Sequence, residues 1–398
     1  MAEPKTAGKA RSKRAPGDDE KQREADTRAP SANGRTSVSG PSPEAQADGV
    51  DTQLAGLGKE ELHWILHQML LGRRFEEKAA EAYALGKIGG FCHLYIGQEA
   101  VGIGAIAAIR DDDYVVTAYR EHVQALAKGM PARDVMAELY GRSAGSSKGK
   151  GGSMHLYSAE RNFLGGWGIV GGQIPLATGV GWAIKYRGED RVCLCFMGEA
   201  AVNQGAFHES LNMAALWKLP VIFIVENNRF GMGTAFERVS ALYDIAQKGQ
   251  AYDMPGMVAD GMNVLAMRHT VQQAVERART ESTPTLIEAR CYRFMGHSMS
   301  DPVHGVYRTK EEVEEEKAKD PIKVFIDDLQ RNDLLTDDEL RAIDERVRAE
   351  VDDAADFAEQ APDPEPEELY RDVYAQMPER GRMFFDARDD APHADTSG

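Results

Sequence analysis

Two short apolar runs and a third strand-like segment, separated by stretches of helical periodicity, constrain this chain more than anything else in it. RVCLCFMG (191–198) and LPVIFIVENN (219–228) flank NQGAFHESLNMAALWK (203–218), and TVQQAVERARTE (270–281) leads into TPTLIEARCYRF (283–294). A short run without polar alternation fits a strand covered on both faces, whereas the segments between repeat their apolar residues every three or four positions. Strands alternating with such helices build βαβ units. The expected fold class is therefore α/β: a parallel sheet with helices on both faces.

The rest of the chain is arranged around that centre. KEELHWILHQMLLGRRFEEKAAEAYALGKI (59–88) and LYIGQEAVGIGAIAAI (94–109) read as helices, the second with faces small enough for close packing. Glycine dominates 141–181, too densely for a helix or strand interior, so backbone there is expected to approach something closely. After Thr309 the chain turns charged and helical, with Thr336 and Glu339 placed to form a capping box. These helices are expected to wrap the sheet or a partner subunit. The expected organisation is a disordered tail at 1–52, an α/β domain at 53–308, a helical extension at 309–380 and a loose end at 381–398. The N-terminal tail carries almost no large apolar residues, so burial cannot offset the entropy of ordering it.

Charge and composition exclude several classes. The 398 residues are 42% hydrophobic, enough for a sizeable core, and carry a formal net charge of -17, the wrong sign for a nucleic-acid reader. No apolar run approaches the ~18 to 20 residues of a membrane span, and the N-terminus lacks an apolar signal region. Asp18, Asp19 and Glu20 argue against a transit peptide, so a cytoplasmic protein is expected. The four cysteines, Cys92, Cys193, Cys195 and Cys291, fit neither zinc nor redox spacing and read as small buried hydrophobes.

The chemistry sits where strands end. In open α/β sheets ligands bind at the carboxyl ends of the strands, and a right-handed crossover brings consecutive ends together. Glu199 follows one strand and Asn228 ends the next. A carboxylate, an amide oxygen and nearby carbonyls form an oxygen-only set that suits Mg²⁺. Ala200 and Ala201 leave room for a diphosphate at the N-terminus of the helix that follows. GSSKGKGGS (145–153) imitates a phosphate loop but fails it, with Ala144 in place of the first glycine and Gly151 in place of the Ser/Thr.

Glu199 through Asn228 resembles the thiamine-diphosphate motif, an acidic turn followed by an Asn-Asn pair. With GFCHLYIGQEA (90–100), TAYREH (117–122), GKGGSMHLY (149–157), GGWGIVGGQIPLATG (165–179), NMAALWKLPVIFIVENNRFGMGT and YRFMGHSMSDP (292–302), residues 54–360 resemble the thiamine-diphosphate-dependent 2-oxo acid dehydrogenases. The likeness is to the alpha subunits of the branch that uses pyruvate. It implies the thiamine-diphosphate-binding fold with C-terminal helices, and both thiamine diphosphate and Mg²⁺ as cofactors. Glu199, Asn228 and the carbonyl of Phe230 would hold the metal. Tyr119, Arg120, Arg293 and His297 would hold the diphosphate, while Ala200, Ala201 and Gln204 would line its site. Gly168 and Val170 would meet the aminopyrimidine through their backbone, and His93 and His297 would act as acid-base or electrostatic groups.

The implied reaction is oxidative decarboxylation of pyruvate, with the acetyl unit passed to lipoyl on an acyltransferase component. The implied partner is a beta subunit in an α2β2 heterotetramer, with no nucleic acid and no membrane. Two positions depart from the family pattern. Glu199 stands where Asp is usual, and Ala200 stands where a second glycine is usual, a strained choice if that backbone needs positive φ. Those departures keep a cofactor-less binding subunit open beside the enzyme, and an acetoin dehydrogenase alpha subunit remains the nearest enzymatic alternative. Ser298 and Ser300 lie in a loop that resembles the one kinases modify in some relatives.

Overall fold

The structure, a computed structural model, describes residues 56–372; the tails expected at 1–52 and 381–398 lie outside the described residues. The chain runs α1 (Lys59–Ala84), α2 (Glu99–Ile106), β1 (Tyr114–Ala118), α3 (His122–Ala127), α4 (Ala132–Leu139), β2 (Phe163–Trp167), α5 (Gln173–Arg187), β3 (Cys193–Gly198), α6 (Gly205–Leu216) and β4 (Val221–Asn227). A two-stranded hairpin, β5 (Phe230–Gly231) with β6 (Thr234–Ala235), precedes β7 (Gly256–Asp260), α7 (Val264–Glu281) and β8 (Thr285–Arg290). Then come α8 (Lys310–Lys317), α9 (Pro321–Arg331) and α10 (Asp337–Gln360). Six strands form one parallel sheet in the order β2-β1-β3-β4-β8-β7.

The two-faced burial read from the apolar runs is present. Side chains alternate across a strand. Leu194, Phe196, Ile222 and Ile224 enter one core, whereas Cys193, Cys195, Met197, Val221, Phe223 and Val225 enter the other. The first core is closed by α1, α2 and α7, the second by α5 and α6. All four cysteines are buried and unpaired, and burial pushes their thiols upward, so they serve as packing groups.

Two expectations need correction. The second helix was expected from 94 to 109 but spans only Glu99–Ile106, because Gly97 sits at φ +100 with Tyr292 and Phe294 pressed against it. The glycine-rich stretch does contain a strand and a helix: β2 and most of α5 lie inside 141–181. At Gly166 in β2 any side chain would overlap the carboxyl of Glu121, so the missing Cβ accommodates a protein neighbour. In α5, Ile174, Ala177, Thr178 and Ile184 carry the packing while Gly179 faces outward.

The two longer C-terminal helices, α9 and α10, cover this chain's own helical layer. Ile343, Val347, Val351, Ala354 and Ala358 form one buried stripe of α10, which packs on α1 and α4. The capping box is formed: Glu339 N donates to Thr336 Oγ1 at 3.2 Å, and Thr336 N donates to Glu339 Oε2 at 2.9 Å. Thr336→Ala should therefore lower stability by ~1 kcal/mol, the usual worth of a cap, measured by urea denaturation. An unchanged midpoint would show that α10 is held by its buried stripe alone. Among the described residues no helix is long and apolar enough to cross a membrane.

Candidate active site

The carboxyl ends of β1, β3, β4 and β8 open into one cavity of about 250 Å³. β1 delivers Tyr119 and Arg120, β3 delivers Glu199, β4 delivers Asn228 and then Phe230, and β8 delivers Arg293. Val170, just before α5, Ala200, Ala201 and His297 complete the group of expected residues in its wall. After β3 the chain makes a 3-10 turn over Glu199–Asn203 before α6 begins, with Gln204 as its cap. Ala200 lies in that turn and is not among the residues with positive φ, so the strain expected of an alanine there is absent. Arg229 does adopt φ 73, which turns the chain back after Asn228 so that Phe230 also lines the cavity.

Three expected residues stand outside the wall. His93 lies behind Tyr119 and His297, with ring centroids 4.4 and 5.2 Å away. Gly168 rests against the His155 ring, and Gln204 against Gly171, which itself lines the cavity.

Charge inside the site is unbalanced. Arg120 is 6% exposed and donates to the carbonyls of Leu94 at 2.6 Å and His297 at 2.8 Å. Arg293 is 2% exposed and donates to the carbonyl of Met295 at 3.2 Å and to the Tyr307 hydroxyl at 3.3 Å. Neither guanidinium pairs with a carboxylate among the described residues. Burial, then the Arg120 charge, pushes Arg293 down to about 10, still protonated at neutral pH. Two buried cations without a directly paired counter-ion are costly, and an anion with several oxygens would relieve both.

Opposite them, Glu199 is 2% exposed, and burial pushes its carboxyl above the ordinary range. Its Oε1 has no hydrogen-bond partner. The Asn228 Oδ1 accepts only at 3.4 Å, from Phe230 N and from Arg293 Nη1, and the Phe230 carbonyl lies 3.5 Å from Arg293 Nη1. These under-satisfied oxygens fit a hard dication that takes few protein ligands and fills its shell with water and phosphate oxygens. Among the described residues no cluster of three His, Cys, Asp or Glu is placed to hold a metal, so a zinc-type centre does not fit.

Burial first, then the Arg120 charge, pushes His93 down to about 2 and His297 to about 4. Both imidazoles are neutral at pH 7, and the Nδ1 of each lacks a partner. Once unfolded they protonate near ~6.5, so the stability tied to them is present above that pH and lost as the pH falls below it. Glu226, pushed up to about 7 by burial, runs the other way, and its contribution is lost as pH rises through that value. Replacing both His93 and His297 by Gln should flatten the fall in melting temperature between pH 7 and pH 5. A fall as steep as the parent's would assign the acid sensitivity to other groups.

Some of the site escaped sequence reasoning. Glu226 lines the cavity at 4% exposure, held by the Tyr95 hydroxyl and, at 3.3 Å, by Gln124 Nε2. Its signal was a lone carboxylate inside an otherwise apolar strand. Asp301 accepts from His297 N at 2.7 Å and from the Tyr307 hydroxyl at 2.5 Å, fixing the loop that carries His297. In the same loop Ser298 is buried beside Ser300, with 3.0 Å between their hydroxyls.

The chain belongs to the family described as dehydrogenase E1 component, whose model matches residues 67–367. It is 50% identical over 330 residues to the pyruvate dehydrogenase E1 component subunit alpha of Rhizobium meliloti (strain 1021), across 83% of this chain and 94% of that protein. The proteins of the same name from Porphyra purpurea and Zymomonas mobilis are 46% and 47% identical, covering 80% and 79% of this chain and 94% and 89% of theirs.

Proposed function

We propose that this chain is the alpha subunit of a thiamine-diphosphate-dependent pyruvate dehydrogenase, the first component of a multienzyme complex. The observation that carries the reading is one cavity where two buried, carboxylate-free guanidiniums face a buried carboxylate with a partnerless oxygen. Such a site calls for a diphosphate and a dication together. Relatives named as this subunit are 44–50% identical over most of their length, which supplies the substrate.

In this reading Glu199, Asn228 and the Phe230 carbonyl hold Mg²⁺. Arg120 and Arg293 bind the diphosphate with Tyr119 and His297, on a floor of Ala200, Ala201 and Gln204. Gly168 and Val170 present backbone to the aminopyrimidine. The bound cofactor supplies a ring that accepts the electron pair released as carbon dioxide leaves the 2-oxo acid. The chain's own residues do the rest. The guanidiniums orient the cofactor by its diphosphate, and the buried walls exclude water. His297, in the cavity wall, and His93 behind it would act as acid-base or electrostatic groups beside the reacting carbon.

A beta subunit completes the site in an α2β2 assembly, and a lipoyl-bearing acyltransferase receives the acetyl group. The cofactor domain is proposed to end near 308, with the helical extension beginning at 309. Buried, unpaired thiols support a reducing, cytoplasmic setting. The reading of a cofactor-less binding subunit keeps one of its two motives, Glu199 in place of the usual Asp, since Ala200 is unstrained.

The test is turnover by the chain co-purified with its beta partner, with an artificial electron acceptor and pyruvate or acetoin as substrate. Turnover of pyruvate that requires thiamine diphosphate supports the proposal. Turnover of acetoin alone would replace the substrate, and an assembled complex inert toward both would overturn the enzymatic reading.

A further inference from the structure

The glycine-rich loop that imitates a phosphate loop is already occupied, by a side chain of the same protein. Glu138, at the end of α4, is fully buried. Its Oε2 accepts from Ser147 N at 2.7 Å and Gly149 N at 2.9 Å; its Oε1 accepts from Gly151 N at 2.7 Å and Gly152 N at 3.1 Å. Four backbone N–H groups thus converge on one carboxylate, the arrangement proteins use to cradle anions. The backbone bends to achieve it: Lys148, Gly149 and Gly152 all take positive φ. Gly145 packs so tightly on the Glu138 backbone that a side chain there would lie about 2.6 Å from its Cα.

The two lysines that a phosphate loop would aim at a ligand point elsewhere. Lys148 Nζ lies 2.5 Å from Asp372, and Lys150 Nζ lies 3.2 Å from Glu368. Ser143 N donates to the Pro362 carbonyl at 3.0 Å and Arg142 pairs with Asp363, so the segment after α10 straps the loop from outside.

The wrapped loop ends at the active site. Ser153 directly follows it, and its hydroxyl lies 2.9 Å from His122 Nε2 and accepts from His93 N at 3.4 Å. Two residues on, His155 Nδ1 lies 3.0 Å from the Gly166 carbonyl, and its ring packs against Gly168. His93 and Gly168 are thus both fastened to the segment that Glu138 shapes.

We propose that Glu138 is a positioning residue: its carboxylate is the internal anion around which residues 145–152 fold, and through Ser153 and His155 it sets His93 and Gly168 beside the cavity. The claim about the loop stands on geometry alone; its consequence for turnover rests on the function proposed above. Glu138→Gln keeps the shape but turns one acceptor into a donor, leaving two N–H groups facing an NH₂. Glu138→Ala removes both acceptors and leaves a space matched to a small carboxylate.

The experiment uses the chain assembled with its beta partner and has two readouts. Hydrogen exchange at the amides of Ser147, Gly149, Gly151 and Gly152 should quicken at least about tenfold in E138Q, with protection of β3 and β4 unchanged. Turnover of pyruvate should fall at least about tenfold in kcat, with a smaller rise in the KM for thiamine diphosphate, because Gly168 meets the aminopyrimidine while the diphosphate cradle of Arg120 and Arg293 is left in place. Formate or acetate should restore both protection and turnover in E138A and do nothing for the parent. Unchanged exchange in E138Q would overturn the loop claim. Quickened exchange with parental kinetics would overturn the link to His93, as would lost activity with exchange raised across the whole sheet. If the parent complex turns over no pyruvate, the proposed function fails while the exchange readout still decides what holds the loop.

Discussion

Glu199→Gln in the assembled enzyme should weaken Mg²⁺ at least about a hundred-fold, more than the loss usual for a residue that only supports a metal ligand. Oε1 of this carboxylate is buried without a partner, so an amide loses no hydrogen bond at that atom. The unliganded chain should therefore melt no lower than the parent, since removing a buried acid whose charge is already disfavoured relieves desolvation. Cofactor-dependent turnover should collapse and reappear only at high Mg²⁺. Glu199→Asp should be far milder, because it keeps the oxygen chemistry and shortens the reach by one methylene. Calorimetric titration of Mg²⁺ with thiamine diphosphate present measures the effect; parental affinity in E199Q would remove Glu199 from the metal site.

Arg293→Ala carries the second large effect. A buried cation that binds an anion is worth roughly 2–5 kcal/mol when truncated, so the affinity for thiamine diphosphate should fall by about a hundred-fold. The loss should appear in the cofactor's KM, with kcat at saturation within about tenfold of the parent. Arg293→Lys should lie between the two, since an ammonium keeps the charge but not the bidentate fork. The unliganded variant should again be at least as stable as the parent, because Arg293 is buried beside Arg120 and, among the described residues, makes no direct ion pair with a carboxylate. Thermal melts with and without cofactor check this. A variant that melts early yet binds cofactor normally would make Arg293 a structural residue, through its contacts with Met295 and Tyr307.

How much of this was legible follows from what each element has to bury. β3, β4 and β8 sit inside the sheet, so β3 is apolar throughout, β4 is apolar up to Glu226, and β8 keeps the run Leu286–Ile287 with Ala289; these strands could be read directly. β7 is an edge strand that begins at Gly256 and ends at Asp260 with only Ala259 buried, and β2, the other edge, carries two glycines. Neither has the pattern of a buried strand. β1 is interior but only five residues long and contains the buried Thr117, whose hydroxyl meets Glu121 at 3.1 Å. Its polar partner is local to the fold and invisible to periodicity.

The site divides in the same way. Glu199 and Asn228 follow from topology, since consecutive parallel strands must end side by side, and Gly198 is indeed paired with Glu226, two residues before Asn228. Tyr119, Arg120, Arg293 and His297 come from other segments and no spacing rule joins them; only the family resemblance brought them forward. Glu226 reads in the sequence as part of a buried strand, because nothing there shows that Tyr95 and Gln124 reach it across the core. The Glu138 clasp was hidden for the same reason, since the glycines were visible but the anion they wrap was not.

The central claim is that Glu199, Asn228, Arg120 and Arg293 form one site for a dication and a diphosphate. The most direct measurement is calorimetric titration of thiamine diphosphate into the chain co-purified with its beta partner, once with Mg²⁺ and once with a chelator. The account predicts saturable binding with Mg²⁺ and a large loss of affinity in the chelator. A well-assembled complex that binds no cofactor, or binds it equally with the metal removed, would contradict it.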